Sequence, residues 1–380
     1  MKPSALIANS LWLASALPAW ARFRRALGRP AETQQLLLRN ALARNAGTAF
    51  GQAHGFSGIK SHADFARNVP LCDYDDLKPW IARIMRGENG VLTTERVTHL
   101  VPTSGSSGAR KLIPFTARLQ REFNEAIGAW IVDLYGRHPR LATGAAYWSI
   151  SPAIDSGDGE QSSVRIGFDD DTAYLGGAKA WLLRAITAVP SELRLVADMD
   201  QFCHKTLLHL LRCADLRLVS VWHPSFFTLL LDALPRFWDE LLRDIGRTNR
   251  ARQLLRANPL EPETIWPGLE VISCWGDAHA ALAKAELARR FPSAHIQSKG
   301  LLATEGFVTL PFAGAYPLAV CSHFFEFIDE RGEIRAAHEL QAGGIYEVVV
   351  TTGGGLWRYR LGDQVEVTHF IGKTPSLRFL

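Results

Sequence analysis

Apolar positions recur at helical spacing over residues 31–46 (AETQQLLLRNALARNA), where Leu36, Leu37 and Leu38 give one apolar side. Gly47, Gly51, Gly55 and Gly58 then mark a loop-rich stretch, and Ser61 opens a short helix over His62, Ala63 and Asp64, with a turn at Pro70. A strand is predicted at 97–102 (VTHLVP), running directly into a Ser/Gly loop. Residues 116–135 read as a helix with Thr116 as its N-cap and Phe123, Ile127, Ile131 and Leu134 on its apolar face. Short apolar runs over 141–177 enclose a polar loop at 155–163 (DSGDGEQSS), expected to be mobile. Helical patterns dominate 178–246, interrupted by a strand-like LRLVSVW at 216–222. LEVISCW at 269–275 reads as a strand and 278–291 as a helix rich in Ala and Leu. From 317 onward the pattern turns to β: AVCSHFFEFID, IYEVVVTT, WRYRL and QVEVTHF are predicted as short strands separated by Gly-containing turns. The pattern is that of a β/α body followed by a β-rich region.

Composition narrows this only slightly. The 380 residues are 47% hydrophobic and 21% charged, which excludes a disordered chain, a collagen-like repeat and a small disulfide scaffold. The 42 Lys and Arg against 38 Asp and Glu leave a net charge of +4, too small and too scattered to argue for nucleic acid. Five cysteines (Cys72, Cys203, Cys213, Cys274 and Cys321) are odd in number and lack CxxC spacing, so they read as reduced thiols of a cytoplasmic protein. The amino-terminal stretch, Lys2, ALIANSLWLASALPAWA and then Arg22, Arg24 and Arg25, could pass for a secretory signal or a membrane-surface helix. Asn9, Ser10 and Pro18 interrupt its apolar run, which favours a helix packed on the body and no membrane insertion.

Three segments carry chemistry. Residues 103–111 read Thr-Ser-Gly-Ser-Ser-Gly-Ala-Arg-Lys. Gly105 and Gly108 permit close backbone approach to an anion, Thr103, Ser104, Ser106 and Ser107 offer hydroxyl donors, and Lys111 adds a charge. An ordinary surface loop can share this composition; the preceding strand, the lysine and the following helix favour polyphosphate, although the Walker A pattern is absent. In Gly300-Leu-Leu-Ala-Thr-Glu-Gly306, Thr304 suits a phosphate and Glu305 offers the hard oxygen that Mg²⁺ requires. In Tyr359-Arg-Leu-Gly-Asp363, an Asp at a strand edge can accept hydrogen bonds from ribose hydroxyls. The last two are common turns when taken singly.

In their order and spacing the three segments resemble the acyl-adenylate-forming enzymes, and more narrowly the auxin-responsive Gretchen Hagen 3 family of acyl-acid amido synthetases. TSGSSGARKLIPFT (103–116), SKGLLATEGFVTLP (298–311), HFFEFID (323–329) and WRYRLGDQVEV (357–367) carry the resemblance, with softer agreement at 44–59, 69–88, 220–226 and 372–380. The resemblance implies an α/β fold of layered β-sheets with helices and a smaller β-barrel-like subdomain. It implies a mixed body over 1–315, a β-rich subdomain over 316–370, and a hinge at 371–380 leading to a C-terminal domain, absent here, that swings between half-reactions. The implied activity is ATP-dependent activation of a carboxylic acid as an acyl-adenylate, then transfer to an amine or amino acid. Thr103, Ser104, Gly105, Ser106, Ser107, Gly108 and Lys111 belong by resemblance to the loop around the ATP phosphates. Thr304 contacts the α-phosphate, Glu305 binds Mg²⁺, Asp363 holds the ribose, and Trp275 and Gly276 line the adenine site. The family usually has an aromatic residue four positions before the Glu; here it is Leu301.

Two other readings stay open: an adenylating enzyme that passes the acyl group to coenzyme A or a carrier, and a chain that only binds nucleotide or acid. The oligomeric state, the acid and the amine are not legible. Cys203, His204, His209 and Cys213 read as helix residues rather than a metal site, Asp169-Asp170-Asp171 as a solvated turn, and no GxSxG elbow occurs. Of Trp130, Trp148, Trp181, Trp222 and Trp275, most are expected in the core, with one or two near 145–180 lining an acyl pocket.

Overall fold

A computed structural model describes residues 3–103, 111–149, 162–167, 185–277 and 280–380. Its strands are β1 (Val97–Pro102), β2 (Leu112–Thr116), β3 (Ala145–Trp148), β4 (Arg165–Ile166), β5 (Leu216–Ser220), β6 (Val271–Cys274), β7 (His295–Ser298), β8 (Phe324–Asp329), β9 (Ile334–Ala336), β10 (Ile345–Thr351), β11 (Tyr359–Ile371) and β12 (Thr374–Phe379). The chain divides into two compact units, each drawn from separate stretches of sequence. The expected hinge segment, 371–380, contains β12.

The first unit takes in described residues of 1–15, 132–157 and 170–299. Its sheet runs β3-β5-β6-β7, all parallel. Parallel strands need long crossovers, and helices Met199–Arg212, Pro224–Ile245 and Ala281–Arg290 lie between these strands in sequence. Their starts are locally encoded: Asp198 accepts from the Gln201 N–H, and His223 caps a helix whose first residue is Pro224. Tyr147, Val219, Ile272, Phe227, Trp266 and Phe291 are central to one buried cluster between the strands and these helices. Trp12 packs edge-on against Tyr135 and Trp148, and Asn9, fully buried, donates to the carbonyls of Ala142 and Gly144. The amino-terminal helix, Pro3–Ala26, runs through Pro18 rather than stopping there. Among the described residues, no helix is long and apolar enough to cross a membrane.

The second unit takes in described residues of 16–131, 158–169 and 300–380. It holds a three-stranded sheet, β2-β1-β4, and a five-stranded antiparallel sheet, β12-β11-β10-β8-β9. Ser61 and Asp64 form a capping box on helix His62–Asn68, and Asp73 and Asp76 do the same for Tyr74–Met85. The Thr116 hydroxyl accepts from the Leu119 N–H at the start of helix Ala117–Arg137, as its sequence predicts. Trp357 is the pivot of an aromatic cluster with Phe50, Phe56 and Phe65, and its indole N–H donates to the Leu92 carbonyl. Gly355 lies against Leu92 at φ +100°, where a Cβ would come within 2.7 Å of the Leu92 Cβ, so a side chain is excluded twice over.

One strand prediction needs correction. WRYRL and QVEVTHF are not two strands: residues 359–371 form one strand, and Gly362, at φ +82°, sits in a bulge within it. Opposite β10 the pairing passes from Val349↔Arg360 to Glu347↔Gln364, so β11 carries extra residues across that step. The glycine bends a continuous strand instead of ending it. The tryptophans also divide differently from expectation: Trp130 is buried, Trp148 and Trp275 are half-buried, and Trp222 is 45% exposed. Trp181, the acidic run 169–171 and residues 155–161 of the polar loop lie outside the described residues.

Candidate active site

The Ser/Gly loop is closed at its base by the β1–β2 hairpin, where the Thr103 N–H donates to the Lys111 carbonyl at 3.0 Å. Ser104, Gly105, Ser106, Ser107 and Gly108 lie outside the described residues. Lys111 is half-buried, with Nζ 3.5 Å from the Tyr359 hydroxyl. The next N–H, of Leu112, donates to the Tyr74 hydroxyl at 2.7 Å, so both ends of this short segment are held by tyrosines.

Thr304 and Glu305 occupy the two central positions of a tight turn. The Ala303 N–H donates to the Gly306 carbonyl at 3.0 Å and the Gly306 N–H returns to Ala303 at 3.3 Å, with Leu302 and Phe307 bridged beyond them. A two-residue hairpin turn thrusts its central side chains clear of the ladder. Both are half-buried. Asp363 follows the Gly362 bulge in β11, four residues after Tyr359.

The electrostatics bring these side chains into one neighbourhood. Burial raises the Glu305 carboxyl above its ordinary range; its own backbone N–H and the Lys111 charge oppose the rise, and Asp363 adds to it. Burial likewise raises Asp363, again opposed by Lys111. Burial, then the negative charge of Glu305, pushes the Tyr359 hydroxyl up, so it stays protonated. Two carboxyls and one ammonium thus influence one another, and burial makes each carboxylate charge costly, a cost that Lys111 offsets only in part.

Lys111, Glu305 and Asp363 therefore act on one another electrostatically, with Thr103 at the base of the loop and Thr304 beside Glu305 in the turn. Trp275 and Gly276 belong to the other unit. There the Trp275 N–H donates to the Trp222 carbonyl at 2.7 Å, and Gly276 lies so close to Ser298 that a Cβ would sit 2.2 Å from its Oγ. Around it, at the carboxyl edge of the parallel sheet, Lys284 Nζ donates to Ser298 Oγ and Lys299 Nζ to Ser220 Oγ. Burial lowers the Lys299 ammonium to about 8. Leu301 is buried, its N–H donating to Thr309 Oγ1 at 2.8 Å.

Sequence reasoning missed Tyr359 and Tyr74. Tyr359 sits in a β-patterned run and Tyr74 among aspartates at a helix start, and only the pairing across the fold shows each hydroxyl turned to Lys111 or Leu112. It also gave no physical role to Arg358 and Glu326, which form a buried ion pair at 2.8 Å. His204, discounted as a ligand, lies 3.4 Å from Asp244 and 3.8 Å from Glu240, both exposed carboxylates of a kind common at protein surfaces; Cys203, His209 and Cys213 are not in this group. All five cysteines are free thiols, and burial pushes Cys72 and Cys321 to about 12 and Cys274 to about 11.

The parallel sheet with its helices, the mixed three-stranded sheet and the five-stranded antiparallel sheet make up an adenylate-forming fold. A likeness in fold extends to a 2-hydroxyisobutyryl-CoA ligase structure in complex with 2-HIB-AMP and CoA, at TM-score 0.50 and 16% identity over 90% of this chain and 72% of that one. The match is closer to a structure of AtGH3.15 acyl acid amido synthetase in complex with 2,4-DB, at TM-score 0.81 and 21% identity over 97% of this chain and 70% of that one. Residues 19–262 match the model of the GH3 family N-terminal domain and 316–380 that of the GH3 family central domain. The chain belongs to the GH3 family, the Gretchen Hagen 3 family that its motifs resemble. Among curated relatives, a probable indole-3-acetic acid-amido synthetase GH3.12 of Oryza sativa subsp. japonica is 26% identical over 95% of this chain and 70% of its own length.

Proposed function

We propose that this chain is a ligase that activates a carboxylic acid with ATP as an acyl-adenylate and transfers the acyl group to an amine, with an amino acid as the acceptor class. What supports the reading is the mutual electrostatic influence of Lys111 with the partly buried carboxyls of Glu305 and Asp363, Lys111 lying at the base of the Ser/Gly loop. In the first step the acid oxygen attacks the α-phosphorus and pyrophosphate leaves. In the second the acceptor nitrogen attacks the acyl carbon, AMP leaves and an amide forms.

In this reading the loop from Thr103 through Ser104, Gly105, Ser106, Ser107 and Gly108 surrounds the phosphates, and Lys111 places a positive charge where negative charge develops. Thr304 donates to the α-phosphate, and Asp363 accepts from the ribose hydroxyls. Glu305 fits Mg²⁺: it is a hard oxygen donor whose ionised form is penalised by burial and by Asp363, so an arriving cation relieves that penalty. Bound there, Mg²⁺ supplies charge neutralisation at the phosphates. The neutral Tyr359 hydroxyl holds Lys111 in position without competing for its charge. The free thiols fit a reducing, cytoplasmic compartment.

ATP–pyrophosphate exchange over a panel of carboxylic acids tests the activation step. Acid-dependent exchange in the wild type, reduced about a hundredfold in Lys111→Ala and in Glu305→Ala, is the expected result. No exchange with any acid, or full exchange in both variants, refutes the assignment.

A further inference from the structure

The turn that carries Thr304 and Glu305 is held from behind by a buried pair the sequence did not reveal. We propose that His323 and Glu122 are positioning residues: together they lock the Thr304–Glu305 turn to the glycine-rich Gly353–Gly355 segment, and so set where the Glu305 carboxylate stands. The inference rests on the reading of Glu305 given above.

The geometry is specific. His323 has a fully buried side chain and Glu122 is 7% exposed. The Phe307 N–H, one residue beyond the turn, donates to His323 Nε2 at 3.0 Å. An imidazole that accepts at Nε2 carries its proton on Nδ1, and Nδ1 lies 3.0 Å from Glu122 Oε2, to which it therefore donates. The same carboxylate oxygen accepts from the Gly353 N–H at 2.8 Å, and Arg118 Nε donates to the other oxygen at 3.0 Å. The neighbouring Ser322 hydroxyl completes the hold, being 3.2 Å from the Phe307 carbonyl and 2.7 Å from that of Ala319.

Two glycines make room for this arrangement. At Gly306 a Cβ would lie 3.2 Å from the His323 ring, and at Gly353 it would lie 2.3 Å from Arg118 Cγ and 2.7 Å from Glu122 Oε1. The two tethered segments lead directly to the chemistry: Phe307 is bridged to Leu302 across the Thr304–Glu305 turn, while Gly353–Gly355 leads through Trp357 to Tyr359 and β11. One carboxylate thus ties together the segment that bears Glu305 and the segment that leads to Tyr359 and Asp363. Neither His323 nor Glu122 needs to touch substrate to matter.

The two imidazole nitrogens can be tested separately. In His323→Gln the amide oxygen can take the place of Nε2 and keep the Phe307 bond; in His323→Asn the shorter amide can reach Glu122 but leaves the Phe307 N–H without its acceptor. Hydrogen–deuterium exchange of the peptide covering 301–310 reads the tether without reference to activity. Faster exchange of that peptide in Asn than in Gln, at matched melting temperatures, is expected. Steady-state kinetics with Mg·ATP then read the consequence: a loss in kcat/KM for Mg·ATP of about ten- to a hundredfold in Asn, largely recovered in Gln, as befits one buried hydrogen bond. Equal exchange in the two variants overturns the clamp, and unequal exchange with equal kinetics overturns its positioning role. A wild type without ATP-dependent turnover defeats the functional reading alone, and the exchange comparison still decides the clamp.

Discussion

Replacing Arg358 with Met is expected to cost a large share of the protein's stability. Arg358 is 3% exposed and sits in the left-handed region at φ 48°. Its Nε and Nη2 donate to both oxygens of Glu326 at 2.8 and 3.0 Å, and Nη1 donates to the carbonyls of Ala66 and Val69 at 3.0 and 2.8 Å. The guanidinium also lies 5.8 Å from the centre of the Phe65 ring. Met approximates the volume and shares the backbone strain, so the comparison isolates the charge and its hydrogen bonds. The Glu326 carboxylate, 1% exposed, keeps the ring of His62 at 2.8 Å, and two carbonyls lose their donor. Removing one member of a buried ion pair costs about 3–5 kcal/mol, because the survivor stays desolvated. The orphaned carbonyls are part of that sum. Against a total of about 5–15 kcal/mol for a folded domain, the variant loses a large fraction of its stability.

The companion variant supplies the control. In Arg358→Met with Glu326→Leu no buried charge is left, and the double variant is expected to regain at least about 2 kcal/mol over the single one. Urea unfolding of wild type, both single variants and the double, followed by circular dichroism and tryptophan fluorescence, measures the coupling directly. A loss below about 1 kcal/mol in Arg358→Met, or a double variant no more stable than the single, refutes the reasoning that an uncompensated carboxylate dominates.

Two further predictions use other parts of the molecule. Glu305 and Asp363 have carboxyls raised by burial, so the folded state binds protons more tightly than the unfolded one. Their cost to stability is fully present above the raised values and is relieved as pH falls through them toward the ordinary carboxylate range. Glu305→Gln should therefore be more stable than ligand-free wild type at pH 8, with the difference shrinking as the pH drops; a pH-independent difference in urea unfolding contradicts the sign. In Gly276→Ala the new Cβ meets Ser298 Oγ at 2.2 Å and Lys284 Cδ at 2.7 Å, and Ser298 is itself held by Lys284 at 2.6 Å. Overpacking there should cost about 1–3 kcal/mol, and an unchanged melting temperature would show that the Lys284–Ser298 pair gives way freely.

What the sequence disclosed and what it concealed divide by the range of the interaction involved. Ser61 with Asp64, and Thr116 with the N–H of Leu119, are settled within one helical turn, so the helix starts they mark are readable from neighbours alone. The apolar runs at 216–222 and 269–275 are legible for a related reason: strands buried on both faces of a parallel sheet need continuous hydrophobicity. Gly362 shows the limit of such local reading. A glycine between two β-patterned runs denotes a turn or a bulge with the same residue, and only the register against β10 chooses. Lys111, Glu305 and Asp363 stand out as candidates because each lies in a short motif whose residue types suit phosphate, cation or ribose. Their supports could not. His323 and Glu122 are 201 residues apart, and the Lys111–Tyr359 contact spans 248. At such distances no periodicity or cap connects the partners, and a histidine before an apolar run, or a glutamate on a helix, reads as an ordinary surface residue until folding buries it. Glu326 and Arg358 sharpen the point. Both lie in segments that carry the family resemblance, yet the guanidinium and carboxylate are buried and their hydrogen bonds go to each other, to His62 and to the carbonyls of Ala66 and Val69. A motif can therefore mark the architecture that aims a site as readily as the site itself, and telling the two apart requires knowing which polar atoms the fold has already satisfied.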